Sequence, residues 1–311
     1  MSKGSSRSTM EVFSLAVGPG EIRVVYQPIV DLRTQKLFAV EALVRCQAKG
    51  FESPPRLFED ALQKGYIGRL GRLIREITIQ GCAGVPVFTN VHPQELMQRW
   101  LVRPDDPIYS HDNDVFVEIT ESVPFSHFDI CHSTLREIQS RGSVHLVIDD
   151  LGAGFSNLQR IVDLNPAVVK LDMQLIRGIA ENRRKQLLVR SIVSMCVDQG
   201  ARVVAEGIET ADELYAVIDA GAHYGQGYLL AKPAPQIPPI NWPSQRPASG
   251  KIAQPEPMRM PQGRVFSAQH TSMSIPVSAP VTPQTSVAPG APARRPSPMP
   301  PPIPKAALNK K

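Results

Sequence analysis

Seven short apolar runs of this chain each lead into a side chain that can hold or serve a metal ion. They are Glu41 in KLFAVEAL, Asn90 in VPVFTNV, Glu118 in DVFVEIT, Asp149 and Asp150 in VHLVIDD, Lys170 in AVVKLD, Glu206 in ARVVAEG and Gln226 in AHYGQGY. Carboxylate and amide oxygens dominate the set, so the chemistry it names is that of hard divalent cations. Glu41, Glu118 and Asp149 with the amide oxygen of Asn90 make one candidate shell. Asp150 with Glu206 makes a second, bridged to the first through Asp149. Two cations ~3.5–4 Å apart are the usual arrangement for in-line displacement at phosphorus. Each acid alone is weak, because an acid at a strand end is more often a helix cap or a surface charge. The recurrence of such ends in series is what carries weight.

Residues this far apart in sequence meet only if the elements bearing them end at one place. The C-terminal ends of the strands of an α/β barrel surround a single mouth. Helical patterns do alternate with the strand-like runs: PRLFEDALQKG, GRLGRLIREITIQG, HPQELMQRW, FDICHSTLREIQSRG, NRRKQLLVRSIVSMCVDQG and TADELYAVIDAG. Several close on glycine, as helix C-termini commonly do, and Thr210 with Glu213 has capping-box spacing. RVVYQPIV and KLFAVEALVR flank DLRTQ, a connection too short for a parallel pair, so the first strand runs against the second. The expected fold is α/β, a modified (β/α)8 TIM-like barrel with one antiparallel strand. Candidate polar residues at nearly every strand end favour the closed barrel over an open sheet with one switch point.

The 311 residues divide by composition. Residues 1–14 are polar and expected to be disordered, 15–235 form the barrel, and 236–311 form a proline-rich, disordered tail with polyproline II tendency. The tail carries nine Lys or Arg against the single acid Glu256, whereas the whole chain is +5, which leaves residues 1–235 at −3. An acidic body argues against DNA binding. No apolar run approaches the ~20 residues that span a bilayer, and the N-terminal residues lack a secretion-signal core, so a soluble cytoplasmic protein is expected. Cys46, Cys82, Cys131 and Cys196 are scattered and read as reduced core thiols.

The same residues carry a family resemblance. YQPIVDL at 26–32, VEALVR around Glu41, TNV at 89–91, EITES at 118–122, IDDLGAGFSNL at 148–158, VKLD at 169–172, AEGIET at 205–210 and QGYLLAKP at 226–233 together resemble the EAL domain of cyclic di-GMP phosphodiesterases. The resemblance implies Mg²⁺ or Mn²⁺, two ions, held by Glu41, Asn90, Glu118, Asp149, Asp150 and Glu206. It implies hydrolysis of cyclic di-GMP to linear pGpG by attack of a metal-activated water, with Lys170, Glu206 and Glu41 as catalytic residues. Gln27, Arg45, Glu209 and Gln226 fall on the substrate side, and Glu121, Gly152 and Gly154 on a loop coupling a homodimer to the metals. Within that loop Leu151, Ala153, Phe155 and Asn157 depart from the family's usual residues, which puts the level and regulation of activity in doubt while leaving the ligands intact.

Other readings are weaker. Gly152-Ala153-Gly154 lacks the third glycine of a dinucleotide loop and follows two acids. His92 and His145 lack a nucleophile and base arrangement and read as packing residues. A catalytically silent cyclic di-GMP receptor is the alternative function, and an unrelated metal-dependent barrel enzyme a distant third. The tail's basic PxxP-like segments offer a site for a protein partner. Two further expectations follow: Lys170→Ala abolishes hydrolysis while sparing much of the fold, because a residue at a barrel mouth adds little to the core, and truncation after Pro235 leaves activity nearly intact.

Overall fold

The β-branched runs lie side by side in the computed structural model, which describes residues 17–120, 128–141, 143–153, 158–244 and 246. Eight strands close into a barrel in sequence order. They are β1 (Ile22–Asp31), β2 (Lys36–Cys46), β3 (Val87–Asn90), β4 (Val115–Thr120), β5 (Val144–Leu151), β6 (Val168–Leu171), β7 (Arg202–Ala205) and β8 (Tyr224–Gly225). β1 is antiparallel to both β2 and β8, and all other neighbours are parallel. Outside lie α1 (Pro54–Gln63), α2 (Ile67–Gly81), α3 (Pro93–Met97), α4 (Phe128–Gln139), α5 (Gln159–Leu164), α6 (Met173–Ile176), α7 (Arg183–Asp198) and α8 (Ala211–Asp219). The two short helices α5 and α6 have no counterpart in the sequence reading, since each is too short for a 3.6-residue apolar repeat to register.

Two apolar cores follow from strand alternation, in which successive side chains point to opposite faces. The larger lies between strands and helices and holds, among others, Val117, Ile119, Val169, Val203 and Ala205. The smaller takes one residue from each strand, Ile29, Ala39, Phe88, Phe116, Val147, Val168, Val204 and Tyr224, and so fills the barrel interior. Phe88 stacks on Phe116 with centroids 4.3 Å apart, and Phe38 stacks on Tyr224 at 3.8 Å. Each such pair adds about 0.5–1.5 kcal/mol beyond area burial. This plug closes one end of the barrel and leaves only the other for a site.

All four cysteines are free and buried, as expected of core thiols. No described helix is long and apolar enough to cross a membrane. The chain stays against the barrel beyond Pro235: Ile237, Ile240 and Trp242 pack on the outer core, and Asn241 donates its backbone N–H to Leu230 O at 2.7 Å. Residues 1–16 and 247–311, which include most of the expected terminal segments, lie outside the described residues.

Candidate metal centre

The interior layer sets the site directly. Two residues beyond each plug residue, toward the open mouth, the same inward face carries Glu41 after Ala39, Asn90 after Phe88, Glu118 after Phe116 and Asp149 after Val147. It continues with Lys170 after Val168, Glu206 after Val204 and Gln226 after Tyr224. In β1, which runs the other way, Gln27 comes two residues before Ile29. One step of the strand's period of two converts an apolar layer into a polar one.

Lys170, 1% exposed, is the hub. Its Nζ lies 2.7 Å from Glu118 Oε1, 2.7 Å from Glu206 Oε1, 3.2 Å from Asp149 Oδ1 and 3.4 Å from Glu41 Oε1. Glu41 Oε2 accepts from Gln226 Nε2 at 2.6 Å, and the same amide donates to Gln27 Oε1 at 3.1 Å. Gln27 is fixed in turn by donating to Ala231 O. Asn90 Nδ2 donates to Glu118 Oε2 at 2.9 Å. Glu118 Oε1, fully buried, has the Lys170 ammonium as its one close polar neighbour among the described residues.

Asp149 and Asp150 are adjacent and in a regular strand would face opposite sides of the sheet. The pairing of β5 with β6 is irregular between Ile148 and Leu151, and Asp150 adopts φ +59°, left-handed backbone that aspartate tolerates better than most residues. This kink delivers both carboxylates to the mouth. Oxygen atoms of Glu41, Glu118 and Asp149 come within 4.8 Å of one another, as do those of Asp149, Asp150 and Glu206. Asp149 belongs to both groups.

Five carboxylates facing one ammonium cannot all ionise cheaply. Burial pushes Glu118 well above the ordinary carboxylate range, with Glu41 and Asp149 adding to the rise against the pull of Lys170. Burial likewise raises Glu206 to about 8, and burial with the neighbouring Asp149 raises Asp150 to about 6. Burial works to lower the Lys170 pKa, but Asp149, Glu118, Glu206 and Glu41 outweigh it and hold the ammonium charged well beyond the usual lysine range. The site therefore keeps protons until stronger positive charge replaces them. An all-oxygen donor set in which five carboxylates share one ammonium fits one or more hard divalent cations.

The remaining expected residues are less tightly gathered. Gln27, Glu41, Glu206, Glu209 and Gln226 line a cavity of about 280 Å³ at the mouth, together with Asp150, Asp172, Arg177 and Tyr228. Glu209 stands at its rim, paired with Arg177. Arg45 is exposed and lines a neighbouring cavity with Phe58, Asn90 and His92. Gly152, at φ +105°, packs so closely on Leu175 that a Cβ would clash. Glu121 and Gly154 lie outside the described residues. His92 Nδ1 accepts from Gln94 N and caps α3, and His145 contacts Asp114, so both serve local structure. Asp172, which caps α6, Arg177 and Tyr228 escape the sequence reading. Asp172 sits two residues past Lys170 and was visible in VKLD, whereas no local pattern marks the other two.

A closed eight-stranded barrel with an antiparallel first strand and an acidic, oxygen-lined mouth defines a class of metal-site α/β barrels. The EAL domain pattern matches residues 11–233, and the chain belongs to that family. It is 32% identical over 232 residues to the probable cyclic di-GMP phosphodiesterase PdeI of Escherichia coli, covering 70% of this chain and 29% of that protein. To the cyclic di-GMP phosphodiesterase PA2567 of Pseudomonas aeruginosa it is 31% identical over 235 residues, covering 71% and 40%. The chain thus spans less than half the length of either relative. Among solved structures, Klebsiella pneumoniae BlrP1 in its calcium and cyclic di-GMP complex superposes with a TM-score of 0.62 at 28% identity, covering 72% of this chain and 59% of that one. An EAL domain protein from Listeria monocytogenes gives 0.61 at 25% identity, covering 75% and 96%.

Proposed function

We propose that the protein is a metal-dependent phosphodiesterase that opens cyclic di-GMP to linear pGpG. The observation that supports this most is the pair of carboxylate triads sharing Asp149 around a single ammonium, an arrangement whose charge calls for further cations. Relatives named as cyclic di-GMP phosphodiesterases, and BlrP1 structures with calcium or manganese and cyclic di-GMP, support this substrate and ion class.

In this reading Glu41, Asn90, Glu118, Asp149, Asp150 and Glu206 hold Mg²⁺ or Mn²⁺. Bound divalent ions would polarise the phosphoryl oxygens and make a proton of water easier to remove near neutral pH. Asn90 would turn its amide oxygen inward, which requires it to release the donation to Glu118 now made through Nδ2. Gln226, itself tied to Gln27, holds Glu41 in place through Oε2 and leaves Oε1 toward Lys170 and the cluster. Lys170, kept as an ammonium, places positive charge beside the phosphate. It would act as a base only if ions drew the four carboxylates away from it. The direct test incubates purified protein with cyclic di-GMP and Mg²⁺ or Mn²⁺ and follows pGpG by chromatography. Binding without pGpG would move the protein to the silent-receptor class, and neither binding nor turnover would end the proposal.

A further inference from the structure

Resting on that reading, we infer that Arg177 binds the second phosphate of the cyclic dinucleotide, the one not being cleaved, and so selects substrates with two phosphodiesters. A cavity of about 280 Å³ is small for a cyclic dinucleotide, so part of the ligand must reach the rim. The two phosphates lie across one macrocycle, and when one sits at the carboxylate cluster the other faces outward.

What meets it there is mostly acidic. Glu41, Asp150, Asp172, Glu206 and Glu209 line the cavity, and Arg177 is the one cation among its described lining residues. Lys170 is enclosed by carboxylates and cannot serve, and Arg45 lines the neighbouring cavity. Arg177 is half-exposed and makes a one-armed contact, Nη2 to Glu209 Oε1 at 2.7 Å. Nε and Nη1 have no partner among the described residues, which leaves one edge of the guanidinium fork for a bidentate contact with phosphate.

The arginine is also held in position. Lys185 Nζ donates to Arg177 O at 2.6 Å and to Gln174 O at 2.8 Å. Buried Glu213 accepts from Gly178 N at 2.9 Å through Oε1 and from Glu209 N and Thr210 N at 3.0 and 3.1 Å through Oε2. One carboxylate thereby ties the loop carrying Arg177 to the loop carrying Glu209. An ordinary surface ion pair has no such scaffold and contributes little.

The experiment compares the full chain with Arg177→Ala and Arg177→Lys. Titration calorimetry with cyclic di-GMP in Ca²⁺ should show affinity weakened about tenfold in Arg177→Ala and by less in Arg177→Lys. Melting temperature and Mn²⁺ affinity, which report the fold and the carboxylate cluster, should not move. In turnover, KM should rise by a larger factor than kcat falls, and bis(p-nitrophenyl) phosphate, with one phosphate, should lose less than cyclic di-GMP. Unchanged cyclic di-GMP affinity, or a parallel loss of Mn²⁺ affinity or of the one-phosphate substrate, would overturn the inference while the proposed function stood. If the wild-type protein bound cyclic di-GMP without hydrolysing it, the hydrolytic reading would fall and the calorimetry would still decide Arg177. If it bound none, both would fall.

Discussion

Lys170 is the residue on which the charge balance turns. The expectation that a mouth residue adds little to stability does not survive its burial: four carboxylates lie within 3.4 Å of its Nζ. Removing one partner of a buried ionic cluster leaves charge uncompensated, at a cost of about 3–5 kcal/mol. Lys170→Met should therefore lower the urea midpoint strongly at pH 8 in EDTA. The loss should shrink at pH 6, where the carboxylates take up protons, and on adding Mn²⁺, which replaces the missing charge. A loss independent of both pH and Mn²⁺ would make Lys170 a packing residue. Glu41→Gln acts in the opposite sense, because it removes one of the crowded negative charges. Metal-free stability should hold or rise, while cyclic di-GMP turnover in Mn²⁺ falls at least about a hundredfold, the upper end of what even outer-shell changes cost. Retained turnover would remove Glu41 from the metal set. Much of this cluster was legible in sequence because nearly every member follows a short apolar run. The protonation of Glu118 and Glu206 was not, since it depends on how closely acids from different strands approach. The kink at Asp150 was likewise hidden, as nothing in VHLVIDDL announces a left-handed residue.

At the scale of elements, the strands were readable because the barrel's two-residue period survives in the sequence as an apolar residue followed, two positions on, by a polar one. Helix α2 shows the converse, a feature whose reason appears only in three dimensions. Its Gly68 and Gly71 weaken the helix by about 1 kcal/mol each relative to alanine. Both are nonetheless buried against neighbours, Gly68 under Trp100 and Gly71 under Glu95, so closely that a Cβ would overlap either side chain. The second contact matters more. Glu95 is 1% exposed and accepts from Arg75 Nη1 at 2.6 Å, and Arg75 makes two further hydrogen bonds to Asp106. Glu95 also accepts from His92 N, so this buried triad joins α2 and α3 to the loop that follows Asn90. Gly71→Ala, stabilising in an isolated helix, should destabilise here. Overpacking costs about 1–3 kcal/mol and would displace the Glu95 carboxylate from the Arg75 guanidinium. A lower urea midpoint at unchanged m would agree, and a raised midpoint would show that Glu95 moves aside freely.

At the scale of the molecule, packing against the barrel continues past the position where composition changes. Composition marks Gln236 as the start of a tail, yet Ile237, Ile240 and Trp242 lie half-buried on the outer core, and Arg246 pairs with Asp219 and sits over Tyr215. Three partly buried side chains of this size are worth about 2 kcal/mol or more together. A chain ending at 246 should melt like the full chain, and one ending at 235 several degrees lower. Equal melting would show the segment to be dispensable. The stability of the whole barrel should also report the charge state of its mouth. Asp150 and Glu206 rise from ordinary values of 3.8 and 4.5 to about 6 and about 8, so the native state binds more protons than the unfolded chain between those limits. Their contribution is fully present below the ordinary values and is lost as pH rises, first through about 6 and then through about 8. Half-buried His92 and His223, whose pKa values are lowered, oppose this trend in the acid range, and the raised thiols Cys82 and Cys196 add to it only at higher pH. From about pH 7 to about 8.5 the slope therefore comes from Glu206 together with Glu118, which is also held well above the ordinary carboxylate range. In EDTA the melting temperature should fall across that window. In Mn²⁺ the fall should vanish, because ions bind the deprotonated carboxylates and gain affinity as pH rises. Glu206→Gln should make the EDTA profile shallower, with Glu118 leaving a residual slope, and a profile as steep as that of the wild-type chain would place the titrating group elsewhere.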